Sequence, residues 1–159
     1  MNITILCVGQ IKEKFYRDAI GEYSKRLSRY CKLNIIEVND EKTKENPSDN
    51  EKQIILEAEG DRLLKHIKEN DYVISLEILG NKLDSVKFSK KIENLGLTGN
   101  SNIVFVIGGS LGLDPRISKR ADYKISFSDM TFPHQLMRVV LLEQIYRGFR
   151  IMRNEPYHK

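Results

Sequence analysis

What this sequence has little of already narrows its class. Two cysteines in 159 residues, Cys7 in an apolar run and Cys31 at a helix end, exclude the dense disulfide framework of a small secreted domain; reduced, partly buried thiols are expected. Four prolines and ten glycines are too few for a linker-rich or fibrous chain, and no repeat or low-complexity block interrupts it. The longest strongly apolar run, 103–107, is far too short to cross a bilayer, and the N-terminus lacks a basic n-region and cleavage site. A cytoplasmic protein without a membrane segment is expected. Three scattered histidines and two distant cysteines show no metal-ligand spacing, so no metal is expected. No Gly-x-Ser-x-Gly elbow is present either. The length suits one domain spanning residues 1–159.

Net charge is also modest. A formal +4 does not by itself imply a nucleic-acid partner. Its distribution says more: from His134 to Lys159 five cations (Arg138, Arg147, Arg150, Arg153, Lys159) face two glutamates, a local +3. That terminal segment is a candidate polyanion-binding surface.

Strand and helix patterns alternate along the chain. Residues 2–8 are apolar and β-branched, ended by Gly9, and read as a strand buried on both faces. Residues 12–30 repeat apolar side chains at three- and four-residue spacing, an amphipathic helix. A strand at 33–38 leads into a polar loop with Asn-Pro and Ser-Asp turn signals, then a helix at 51–70 with Leu56, Gly60, Leu63, Leu64 and Ile67 on its apolar face. A strand at 72–78, a Gly80-Asn81 turn, a helix at 85–95 and a strand at 102–107 follow. Asp114-Pro115 opens a short helix to about Arg120. A strand at 123–127 precedes Pro133, which suits the start of a final helix. The pattern is α/β: an open, mostly parallel sheet with helices on both faces, whose ligand site lies at the carboxyl ends of strands.

The loops at those ends carry the candidate residues. Gly108-Gly109-Ser110-Leu111-Gly112 either lets backbone amides approach a ligand or simply makes a tight turn; it is neither GxGxxG nor a P-loop. Residues 127–132, Phe-Ser-Asp-Met-Thr-Phe, read either as a staple and cap around Pro133 or as an apolar slot with hydroxyl edges for a flat, weakly charged ring. His134 is either a structural residue of the first helical turn or a catalytic base. The helix at 134–152 is apolar nearly all the way round, so it must be covered on more than one side, within its own domain or by a second subunit; a dimer is expected. The tail ending Pro156-Tyr157-His158-Lys159 either frays or offers a stacking surface, a titratable group and phosphate contacts together.

Gly-Gly-Ser-x-Gly after a strand, Phe-Ser-x-Met-Thr-Phe-Pro-His-Gln, an arginine-rich helix through Glu-Gln-Ile-Tyr-Arg and a terminal Pro-Tyr-His occur here in one chain. In that combination, over essentially its whole length, the sequence resembles the ribosomal large-subunit pseudouridine N3-methyltransferases of the SPOUT class. The resemblance implies a homodimer with a C-terminal trefoil knot, the cofactor S-adenosyl-L-methionine, and methylation of N3 of a pseudouridine in rRNA of the large subunit or assembled ribosome. It implies a cofactor pocket of Leu76, Gly108, Gly109, Phe127, Ser128, Asp129, Met130, Thr131 and Phe132. Tyr157 and His158 would orient the base and take its proton, and Arg138, Arg147 and Arg153 would hold phosphates. The sequence departs from the family pattern at Asp84-Ser85-Val86, where a Ser-Ser-Glu helix start is common, and at the variable loop positions Leu111 and Asp129. A competing reading keeps the fold as a ribosome-binding factor without chemistry, and another directs methylation to a different RNA.

Overall fold

In the first strand, alternation decides the layering. Ile3, Ile5 and Cys7 point to one face and Leu6 and Val8 to the other, and all five are buried. A strand apolar on both sides must lie inside a sheet covered by helices on both faces. The computed structural model, which describes residues 1–159, has this arrangement. The elements are β1 (Asn2–Val8), α1 (Lys14–Leu27), β2 (Lys32–Val38), α2 (Asp49–Leu64), β3 (Tyr72–Lys82), α3 (Ser85–Leu97), β4 (Asn102–Ile107), α4 (Pro115–Arg120), β5 (Tyr123–Ser126) and α5 (His134–Met152). All five strands are parallel, in the order β2-β1-β4-β3-β5. One core, with Phe88, Ile92, Phe105 and Leu141, lies beneath α1, α3 and α5. The other, with Val73, Val104, Leu63 and Ile117, lies beneath α2 and α4.

Local signals set several boundaries. Ser48 caps α2, its hydroxyl accepting from the Glu51 amide at 3.2 Å, and Asp114 caps α4, accepting from the Arg116 amide at 2.8 Å with Pro115 in the first turn. The two largest departures from the sequence expectation are the ends of α2 and β3. Helix α2 stops at Leu64 rather than reaching residue 70. The Asp71 carboxylate accepts from the Lys68 amide at 2.7 Å, and Arg120 donates to the carbonyls of Lys68, Glu69 and Asp71, so residues 68–71 have bonding partners other than a helix ladder. Strand β3 runs through Gly80-Asn81 to Lys82, with a register break in which Leu76 and Asn81 both pair with Ile125. A Cβ at Gly80 would lie 2.7 Å from the Ile125 backbone, so the return of β3 against β5 requires glycine there.

Helix α5 packs against both α1 and α3 as well as β4. Leu141, Leu142, Ile145, Gly148 and Phe149 are buried, while Leu136, Val139 and Val140 remain half-buried. At Gly148 the helices come close: Ser89 Oγ donates to the Gly148 carbonyl at 2.8 Å. The chain accordingly covers this helix on more than one side, but not on every side.

Candidate functional site

The register break of β3 and the ends of β4 and β5 open into a cavity of about 530 Å³, within the range of small-molecule sites. Its floor is the 108–112 loop. Gly112 has φ +88°, and its amide donates to the Gly109 carbonyl at 3.1 Å, closing a tight turn. A Cβ at Gly108 would fall 2.4 Å from the Gly112 carbonyl oxygen, and one at Gly109 3.1 Å from Val8. These glycines make the turn and also leave backbone facing the cavity.

The opposite wall is the 127–132 loop, shaped by its own hydroxyls. Ser126 Oγ donates to the Ser128 carbonyl at 3.1 Å, and Ser128 Oγ accepts from the Met130 amide at 3.0 Å. Phe127 packs edge-on against Phe88 at 6.3 Å, whereas Met130 and Phe132 are exposed at the cavity mouth. Leu76, Gly108, Gly109, Phe127, Ser128, Met130, Thr131 and Phe132 all line the cavity. Asp129 does not, which corrects the expectation that all of 127–132 would. Its side chain is 80% exposed and pairs with Lys82 at 2.6 Å, so it turns away from the cavity to solvent and a cation.

Sequence reasoning missed other lining residues. Glu77 lies at the wall and accepts from the hydroxyls of Ser75 and Ser118, the latter at 2.9 Å. Its signal was a lone acid inside the apolar run of β3. Lys52 and Leu56 of α2 and Met137 of α5 also contribute. Lys52 and Glu77 are the only formally charged residues of the lining, and His134 its only histidine. Half-burial, then the nearby Arg138 cation, lowers the His134 pKa and keeps the imidazole neutral at pH 7. A nearly neutral slot with apolar walls and hydroxyl edges suits a flat heterocycle with a compact zwitterion, and does not suit a polyphosphate.

The basic residues divide into two groups. Arg138 is 2% exposed, with its guanidinium bonded to Glu37 at 2.6 Å and to the carbonyls of Val8 and Gly9 at 2.9 and 2.7 Å. This corrects its expected role as a phosphate contact, because the fork is buried and turned inward. Arg147, Tyr157 and His158 do come together. The tail folds back on α5: Tyr157 donates to Glu143 at 3.0 Å, Arg147 binds Glu143 at 2.6 Å, and Arg147 Nη1 approaches His158 Nδ1 at 3.2 Å. Since guanidinium nitrogens only donate, Nδ1 is the acceptor. The Arg147 guanidinium lies over the Tyr157 ring at 4.7 Å, and Tyr146 meets that ring edge-on at 4.9 Å. Burial and then the Glu143 bond push the Tyr157 hydroxyl up to about 12, so it stays protonated. Arg150 anchors the turn through Glu155 and the Pro156 carbonyl, and Arg153 is exposed beside Tyr30.

This cluster is remote from the cavity of its own chain. Met137 lines the cavity and Arg147 stands ten positions further along α5, roughly 15 Å of helical rise.

The family model described as "Predicted SPOUT methyltransferase" matches residues 1–158. The chain belongs to the SPOUT methyltransferase family. The "Ribosomal RNA large subunit methyltransferase H" of Clostridium kluyveri is 64% identical over 159 residues, covering all of both chains. Proteins named the same way in Clostridium perfringens, and as putative in Methanococcus maripaludis, match to the same extent. Among solved structures, a probable methylase family protein from Haemophilus influenzae Rd KW20 shares the fold, with a TM-score of 0.54 and 11% identity over 99% of this chain and 70% of that one. As a SPOUT methyltransferase the chain uses S-adenosylmethionine as donor, and the near-neutral cavity fits that molecule's adenine ring and amino-acid end.

Proposed function

We propose that this SPOUT methyltransferase methylates N3 of a pseudouridine in large-subunit rRNA, acting in the cytoplasm on the assembled ribosome. The observation that carries the reading is the cavity: an apolar, hydroxyl-edged slot made by the irregular stretch of β3 and the loops that follow the parallel strands β4 and β5. The close relatives' names supply the substrate class. Held by the cavity, the donor would supply a methyl group already activated on sulfonium sulfur, and the proton displaced from N3 would pass to His158. The protein's work is therefore alignment and proton removal.

In this reading Leu76, Gly108, Gly109 and the 127–132 loop, apart from Asp129, hold the donor. Arg147 and Arg153 hold rRNA phosphates. Tyr157, kept protonated, orients the base, and His158 accepts the proton once a phosphate draws Arg147 away from Nδ1. The cluster lies about 15 Å along α5 from its own cavity, so the proposed active unit is a homodimer in which each tail completes the partner's site. The half-buried Leu136, Val139 and Val140 of α5 support a second copy as cover. The proposal treats residues 1–159 as one domain and threads α5 through a trefoil knot. Its support is that the chain leaves the outermost strand, β5, and returns beneath the sheet between α1 and α3, against the usual rule that connections do not knot.

Calorimetry with S-adenosylmethionine, followed by methyl-transfer assays on assembled ribosomes, free rRNA and tRNA side by side, tests the reading. Saturable donor binding and transfer to ribosomes are expected. Absence of donor binding would leave a ribosome-binding factor without chemistry, and transfer to tRNA alone would move the substrate to another RNA.

A further inference from the structure

The largest fully buried side chain of α5 is a cation, Arg138. Arg138 Nη2 donates to Val8 and Gly9 carbonyls at the end of β1, and Nη1 donates to Glu37 Oε2 near the end of β2. That same carboxylate oxygen accepts from the Ile11 amide at 3.0 Å. One guanidinium thus joins the start of α5 to the carboxyl ends of two strands that contribute little to the cavity wall themselves. Its Nε, equally buried, has no partner. Burying a guanidinium with one nitrogen unbonded is costly, so a nonpolar side chain would serve mere packing better.

Two further observations show what is being held. Helix α5 begins at Pro133 without a side-chain cap, so its first turn has no local anchor. That turn carries His134, and Met137 follows within it; both line the cavity. Gly9 takes φ +90°, a conformation that favours glycine, and in it the Gly9 carbonyl accepts from Arg138 Nη2 at 2.7 Å; a Cβ there would be in ordinary contact with Arg138 and His134, so the backbone angle and not a lack of space calls for glycine.

We propose that Arg138 is a positioning residue for the methyl-donor cavity, clamping the His134–Met137 wall to the ends of β1 and β2, and that it makes no contact with RNA. The first half of this rests on the cavity being the donor site. The charged groups around His134 are Arg138 on its own helix, Asp40 after β2 and Glu13 before α1. Loosening the clamp exposes the imidazole and moves Arg138's charge, and both changes bring its titration back up toward the ordinary histidine range.

The test compares wild type with Arg138→Lys and Glu37→Gln. Lysine keeps the charge but cannot bridge three acceptors, and Glu37→Gln keeps an acceptor oxygen while weakening the clamp from its half-exposed end. Each is followed by thermal melting, S-adenosylmethionine calorimetry well below its melting temperature, NMR titration of the His134 ring, and salt-dependent binding of an rRNA fragment. Folded variants are expected to bind the donor about tenfold more weakly, the scale of one lost charge-assisted hydrogen bond. The His134 midpoint should rise and the salt dependence stay unchanged. Unchanged donor affinity and unchanged His134 titration overturn the proposal. So does a salt slope lowered by about one, which would mark a lost phosphate contact. A wild type that binds no donor sinks the donor reading instead, and the His134 titration still decides whether Arg138 clamps the wall.

Discussion

Glu59 is 5% exposed in the middle of α2, with one carboxylate oxygen accepting from the Glu41 amide at 3.0 Å. Burial holds its pKa above the usual carboxylate range; Asp40 and Glu41 push the same way, while the Glu41 amide and Arg62 oppose. A raised folded-state pKa means that stability is full below the unfolded pKa and is lost as pH rises through the folded one. Glu59→Gln keeps the acceptor and removes the titration. It should therefore melt higher than wild type at pH 7, on the order of 2–4 °C for 1 kcal/mol in a chain of this size, with the gap closing as pH falls below 5. A gap that persists at low pH would show the effect is not ionisation. Its neighbour Gly60 predicts the opposite sign. A Cβ there would lie 2.2 Å from Asp114 Oδ2 and 2.7 Å from Asp114 Cβ, and Asp114 is pinned as the buried cap of α4. Gly60→Ala should cost about 1–3 kcal/mol in urea unfolding, as overpacking does. The apolar period of α2 placed Gly60 on the inner face, but nothing local revealed that Asp114, 54 positions later, fills the missing side chain's space. Arg138 shows the same limit: its charge was legible and its partners were not, since they are carbonyls at the far end of the chain.

Elements were more legible than residues because hydrophobic period is a local property. Runs such as 102–107, apolar on both faces, read directly as central strands, and the caps at Ser48 and Asp114 stand where their sequence signals are. The return of β3 against β5 was not legible, because it depends on the Gly80 backbone meeting Ile125. The loops of the cavity could be named from strand ends, yet Asp129 could not be told from its neighbours until Lys82 was seen to draw it outward. The tail is the element whose two readings differ most. It is held by Tyr157 on Glu143, by the Glu155 amide on the Arg150 carbonyl at 2.9 Å, and by Arg150 on Pro156. Deleting residues 153–159 removes the Tyr157-His158 pair without touching the cavity lining. Donor affinity should stay within about twofold of wild type while methyl transfer falls to background. Full transfer after deletion would show the tail is only a packed end.

At the scale of the molecule, the separation of the two sites is the fact to be explained. A cavity at the start of α5 and a Tyr-His-Arg cluster near its end cannot meet within one chain while the helix stays straight. Ile78, Leu79, Met130 and Phe132 are exposed around or beside the cavity mouth, Leu79 at 98%, and apolar groups gathered at a mouth mark a surface that another body covers. In a twofold dimer the same surface serves both copies, so each tail reaching across places two composite sites in one particle. Sedimentation at micromolar concentration should then show a dimer. The sharper test mixes two inactive chains: one without residues 153–159, the other Gly108→Val, whose side chain would collide with the Gly112 carbonyl and close the cavity floor. Both must first melt as folded proteins. If tails act across the dimer, half of the particles formed on random reassociation pair one intact cavity with one intact tail, and methyl transfer returns to about a quarter of wild type per chain. If each tail served its own cavity, no pairing of these chains could assemble a complete site, and the mixture would stay inactive.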